Sequence, residues 1–107
     1  MVGRQGGEES LRERGALFPC GDLILEGAFY LPDDDGIFPG VVLCHPHPLY
    51  GGSMHNNAIL AAASALTENG IAAFLFNFRG VGRSQGNFGG GIAEQDDAKA
   101  AVSWLIA

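Results

Sequence analysis

Two short glycine-bearing loops, each placed directly after an apolar run, constrain this chain more than any other feature. The first is Cys44-His45-Pro46-His47-Pro48-Leu49-Tyr50-Gly51-Gly52, which follows Val41-Val42-Leu43. The second is Asn77-Phe78-Arg79-Gly80-Val81-Gly82-Arg83-Ser84-Gln85-Gly86, which follows Ile71 to Phe76. Between them, Asn56 to Glu68 carries Ile59, Leu60, Ala62, Ala63 and Leu66 at helical spacing, and Asn69-Gly70 supplies a left-handed stop. Strand, loop, helix, strand, loop is the order of an α/β fold whose working loops lie at the C-terminal ends of its strands.

The flanking segments complete the pattern. Residues 1–13 read as a loose tail and 14–107 as one partial domain. Arg14 to Pro19 and Leu23 to Leu31 read as strands joined by a tight turn at Cys20-Gly21-Asp22. In the second of them Leu23, Leu25, Gly27, Phe29 and Leu31 share one face, and Ile24, Glu26, Ala28 and Tyr30 the other. Val41 to Cys44, apolar on both sides, reads as a buried parallel strand. A last helix is expected from Ile92 onward, with Ala98, Ala101, Val102 and Leu105 on one face. Its early Glu94, Asp96 and Asp97 suit the helix dipole. The acidic triplet Asp33-Asp34-Asp35 reads as a solvated loop tip.

Composition excludes several classes of function. A net charge of −6 leaves no basic face for nucleic acid. No apolar run approaches the ~20 residues of a membrane span, and the polar start does not read as a secretory signal. Cys20 and Cys44 are too few for a disulfide framework, so a cytoplasmic protein is the expectation.

The first loop suits an oxyanion hole. Pro46 and Pro48 remove two backbone donors and stiffen the chain, leaving the N–H groups of His47 and Leu49 fixed. A metal at His45, His47 and His55 is disfavoured, because the prolines break an extended geometry and no carboxylate or cysteine stands at ligand spacing. His45 reads instead as a loop brace, and His55 as a helix-start residue facing a substrate cleft. Gly82-Arg83-Ser84-Gln85-Gly86 matches G-x-S-x-G, yet Ser84 lies eight residues beyond Phe76 and a glycine-rich stretch delays the next helix. A nucleophile elbow needs strand, one sharp turn and helix in immediate succession. Ser84 therefore reads as a turn-capping hydroxyl, and Ser53 as a helix N-cap. Gly80, Gly82 and Gly86 do not keep G-x-x-G spacing into a helix, so a dinucleotide loop matches poorly.

At these residues the sequence resembles the α/β-hydrolase superfamily, and within it the small dienelactone-hydrolase-like enzymes. His45-Pro46-His47-Pro48 with Gly51-Gly52-Ser53-Met54-His55-Asn56-Asn57 is similar to that subgroup's oxyanion-side loop. Asn77-Phe78-Arg79-Gly80-Val81-Gly82-Arg83-Ser84 is similar to the Asp-x-Arg-Gly-x-Gly-x-Ser loop after the fourth strand, with Asn77 in place of Asp. The resemblance implies the N-terminal half of an open, mostly parallel sheet with its second strand antiparallel and helices on both faces. It implies a serine hydrolase of small ester or acyl substrates, with no cofactor. The nucleophile, acid and histidine would all lie beyond residue 107, so no catalytic side chain is expected within the chain. His47 would supply an oxyanion N–H. His45, Asn77, Arg79 and Gly80 would support the loops, and Tyr50 and His55 would border the substrate cleft.

Three readings stay open on the residues alone. They are a piece of a serine hydrolase, a truncated non-catalytic interaction domain, and a nucleotide-binding module. Expressed alone, the chain is expected to be poorly folded or self-associated, because in the resembled fold the Val41–Cys44 strand would keep an unpaired edge where a fifth strand belongs.

Overall fold

A computed structural model describes residues 12–32, 38–45 and 52–106. Its elements are β1 (Arg12–Cys20), β2 (Leu23–Leu31), β3 (Gly40–Leu43), α1 (Asn57–Glu68), β4 (Ala72–Phe76) and α2 (Glu94–Ile106). The four strands form one sheet in the order β1-β2-β4-β3. β1 pairs antiparallel with β2, β2 antiparallel with β4, and β3 parallel with β4. β2 is thus the strand that runs against the parallel pair, as expected.

The hairpin turns on two residues, with Cys20 paired to Leu23 and Gly21 at φ +58°. Glycine takes that conformation without the penalty of a Cβ. β1 starts at Arg12, so the sheet reaches two residues into the segment expected to be a tail. The acidic triplet Asp33-Asp34-Asp35 lies outside the described residues.

Strand alternation divides the core in two. On one face Phe18, Leu25, Phe74 and Phe76 pack with Ala98, Ala101 and Leu105 of α2. On the other, Ala28, Tyr30, Ala73 and Leu75 pack with Ile59, Leu60, Ala63 and Leu66 of α1. All five residues of β4 are buried, because both helices cover it. β3 departs from the expectation of a buried strand: Val41, Val42 and Leu43 are only half-buried, and Cys44 falls outside it and is exposed. Among the described residues β3 pairs on one side only, and that edge position accounts for its exposure.

The helix ends follow local chemistry. Asn56 caps α1, its Oδ1 accepting from Ala58 N at 2.9 Å and Ile59 N at 3.2 Å. At the other end Ile71 N donates to Leu66 O and Gly70 N to Thr67 O, the paired bonds of a Schellman stop. α2 begins at Glu94, not Ile92, which is 77% exposed in the turn before it. Val102, expected on the buried face, is 45% exposed.

Phe74 has one close neighbour that is not a side chain. Its ring packs 4.5 Å from that of Phe29 and 5.3 Å from that of Phe18. The third side of the ring lies over Gly27, where an added Cβ would sit 2.7 Å from the ring and 2.7 Å from Leu75 O. Backbone cannot yield as a flexible side chain can. Gly27→Ala is therefore expected to lower stability by about 1–3 kcal/mol, the ordinary cost of overpacking. A urea midpoint unchanged from the parent chain would show that the sheet absorbs the methyl.

Candidate functional site

β4 is shorter than β2, and this mismatch shapes the site. Residues 27–30 of β2 pair with β4, but Leu23 to Glu26 extend past its end. Their backbone groups still need partners. The loop after β4 turns back along β2 and supplies them: Asn77 N donates to Glu26 O, and Gln85 N to Ile24 O. Side chains complete the seam. Gln85 Oε1 accepts from Ile24 N at 2.9 Å, and Ser84 Oγ accepts from Glu26 N at 2.9 Å.

Ser84 also donates its hydroxyl to Asn77 O at 2.7 Å and is buried. Both capacities of the hydroxyl are used in the seam. No non-glycine residue among those described has positive φ, so Ser84 lacks the strained backbone of an elbow. Its geometry is that of a loop fastener.

Two anchors tie the β3 side to this loop. His45, buried at the end of β3, accepts from Phe78 N at 3.0 Å through Nε2, and its ring packs edge-on to Phe78 at 4.8 Å. An imidazole accepting at Nε2 carries its proton on Nδ1. Farther along, Met54 N donates to Asn77 Oδ1 at 2.8 Å. The intervening Pro46 to Gly51, which includes His47 and Tyr50, lies outside the described residues. Both its flanks are thus fixed to the loop that follows β4.

Ser53 does not cap α1. Its Oγ accepts from His55 N at 3.1 Å, one turn upstream of the true cap at Asn56. Asn56 is the better-placed acceptor because it stands directly before the helix, whereas Ser53 lies three residues upstream. His55 is exposed in that turn.

The far side of the β4 loop is held by charge. Asp97, whose side chain is 0% exposed, accepts from Arg79 Nη2 at 2.8 Å, from Arg79 Nε at 3.1 Å and from Arg79 N at 2.9 Å. Cys20 Sγ donates to the same carboxylate at 3.3 Å. The guanidinium is held even more firmly protonated, chiefly by its hydrogen bond to Asp97. Sequence reading assigned Asp97 to the helix dipole alone. Its spacing on α2 with buried Ala101 was the available signal that it points inward.

Gly80 adopts φ +81°, and its N–H donates to Gln85 O at 3.0 Å, which closes the loop on itself. Beyond it, Glu94 turns back on the glycine-rich stretch. Its carboxylate accepts from Gly89 N at 2.7 Å and Gly91 N at 3.0 Å. The amides of Gly89 and Gly91 are thus satisfied by an anion from the chain itself. No group of three histidine, cysteine or acidic residues is gathered for a metal among the described residues. Nor, among them, is any helix long and apolar enough to cross a membrane.

Against this geometry, known structures can be compared. An α/β serine hydrolase homologue from Coxiella burnetii superposes with a TM-score of 0.80 at 38% identity, over 86% of this chain and 44% of that one. A lidless α/β serine hydrolase from Xanthomonas campestris gives 0.79 at 38% identity, over 88% of this chain and 44% of that one. An esterase from Pyrococcus furiosus gives 0.71 at 25% identity, over 98% of this chain and 40% of that one. An uncharacterized protein of Rickettsia prowazekii (strain Madrid E) is 48% identical over 67 residues, 63% of this chain and 28% of that protein. No family model matches the chain. The chain therefore spans less than half the length of these proteins, and its fold is that of the N-terminal portion of an α/β hydrolase.

The Cys20 thiol gives the network a pH signature. Its pKa is raised above the ordinary 9.0, first by burial and then by the hydrogen bond to Asp97. Burial also raises Tyr30. An acid whose folded pKa is raised contributes stability below its unfolded pKa and loses it as pH climbs through the folded value. Unfolding free energy should hold steady up to about pH 8 and fall above about pH 9. Cys20→Ala should flatten part of that fall. Urea titrations at stepped pH check it, and stability that rises on the alkaline side would contradict the assignment.

Proposed function

We propose that this chain forms part of a serine hydrolase that acts on a small ester or related acyl substrate. Its part would be the oxyanion-side loop. One observation carries the reading: the segment after β3 is fastened at both flanks, His45 to Phe78 and Met54 to Asn77, at the C-terminal ends of two parallel strands. That end of an open α/β sheet is where ligands bind. The similarity to hydrolases and an esterase supports the same class of chemistry.

In this reading the backbone N–H of His47 donates to the oxyanion of the tetrahedral intermediate. Pro46 and Pro48 hold it aimed in advance, so no reorganisation is needed as charge develops. The nucleophile is another residue than Ser84, whose hydroxyl already bridges Glu26 and Asn77. Nucleophile, acid and histidine would be supplied outside these 107 residues. A cytoplasmic setting and self-association through the outer edge of β3 belong to the same proposal.

The test uses a complete hydrolase that contains this chain, assayed on activated short-chain esters. His47→Pro removes the amide donor and should lower turnover about 10²–10³-fold. His47→Ala keeps the amide and should cost far less. Equal losses would assign the work to the imidazole, and absence of ester turnover in the parent would overturn the reading altogether.

A further inference from the structure

The polar seam contains one carboxylate whose role sequence reading missed. Glu26 lies on β2 where β4 has ended, half-buried, with one oxygen taking two donors. Oε2 accepts from Asn77 Nδ2 at 2.7 Å and from Arg83 N at 2.6 Å. Gly82 lets the loop close over this group, because a side chain there would run into both the Glu26 carboxylate and the Asn77 amide.

We infer that Glu26 is a positioning residue, which sets the orientation of the Asn77 amide and so fixes the Met54 end of the segment between β3 and α1. What that segment does rests on the function proposed above; how it is held does not. The amide of Asn77 is buried between an N–H and a carboxylate. Only one orientation suits both neighbours, with oxygen toward Met54 N and nitrogen toward Glu26. The flipped amide would set N–H against N–H and carbonyl against carboxylate. The charge on Glu26 makes the preferred orientation the stronger one, since a charge-assisted hydrogen bond is roughly twice as strong as a neutral one.

The same geometry explains why an amide suits this position better than an acid. An aspartate at 77 could still accept from Met54 N, but its second oxygen would face the Glu26 carboxylate. Two carboxylates at that separation cannot both stay ionised without cost. A glutamine at 26 removes the like-charge repulsion, and its NH2 can donate to the new acid at the expense of the bond from Arg83 N to the same position.

The prediction is a reversal of sign. In the 107-residue chain at neutral pH, hydrogen exchange of the Met54 amide is measured for the parent, E26Q, N77D and E26Q/N77D. N77D should speed exchange at least about tenfold, through loss of orientation and like-charge repulsion. E26Q should speed it modestly in the parent background and slow it in the N77D background. A variant too unstable for exchange is compared by its unfolding transition in circular dichroism, where the same reversal is expected. An E26Q effect of the same sign in both backgrounds would overturn the inference, as would a Met54 amide indifferent to N77D. In a complete hydrolase, N77D should lower kcat more than it changes KM, with recovery in E26Q/N77D. A hydrolase without ester turnover sinks the functional reading only, and the Met54 exchange still decides the role of Glu26.

Discussion

The ion pair between buried Asp97 and half-buried Arg79 is the interaction on which the arrangement of loops depends. Asp97 belongs to the first turn and a half of α2, Arg79 to the loop after β4, and Cys20 to the end of β1. A single carboxylate therefore joins three elements that the sheet ladders alone do not connect. Its desolvation is offset by three kinds of donor: a guanidinium, a backbone amide and a thiol. Such a pair adds little net stability compared with an apolar substitute of the same shape, but removal of one partner strands a charge. Its value here is placement. It holds the loop down on the α2 face while the Glu26–Asn77 seam holds it on the other side.

The two polar systems divide the labour between them. On the α2 side, charge fixes where the loop crosses the sheet. Along β2, neutral and charged hydrogen bonds fix its register, residue by residue, because Leu23 to Glu26 pair with β1 on one side and have no strand on the other once β4 ends. The glycines allow this close approach where they are needed, at Gly80 with φ +81° and at Gly82 beside Glu26. The post-β3 segment is then referred to the same loop through His45 and Met54. Site geometry on one strand end is thereby made to follow from packing on the other.

Much of the fold was legible in the sequence. Hydrophobic alternation placed the faces of β2, helical spacing placed α1, and Asn69-Gly70 marked its end, because each depends on local periodicity. Resemblance in the two loops pointed to the hydrolase fold that the structural comparisons support. Three details depended on residues distant in sequence and could not be read locally. Asp97 faces inward because Arg79 and Cys20 await it. Glu26 is a hub because β4 is shorter than β2. β3 is half-exposed because its outer edge lacks a strand among the described residues. Spacing alone marked Ser84 as a turn-capping hydroxyl, but its double hydrogen bond required the three-dimensional seam.

If the Asp97–Arg79 pair is what places the β4 loop, removing the charge on Asp97 should loosen that loop before it loosens the hairpin. Native-state hydrogen exchange on Asp97→Asn, alongside its urea unfolding, reads this directly. The expected loss of stability is about 1–3 kcal/mol, less than for a fully buried pair because the Arg79 side chain is 18% exposed and can regain water. Amide protection should fall most at Arg79, Ser84 and Gln85, with the β1–β2 ladder retaining the protection that global stability allows. A loss under about 1 kcal/mol, the scale of an exposed ion pair, with loop and hairpin affected alike, would contradict the account.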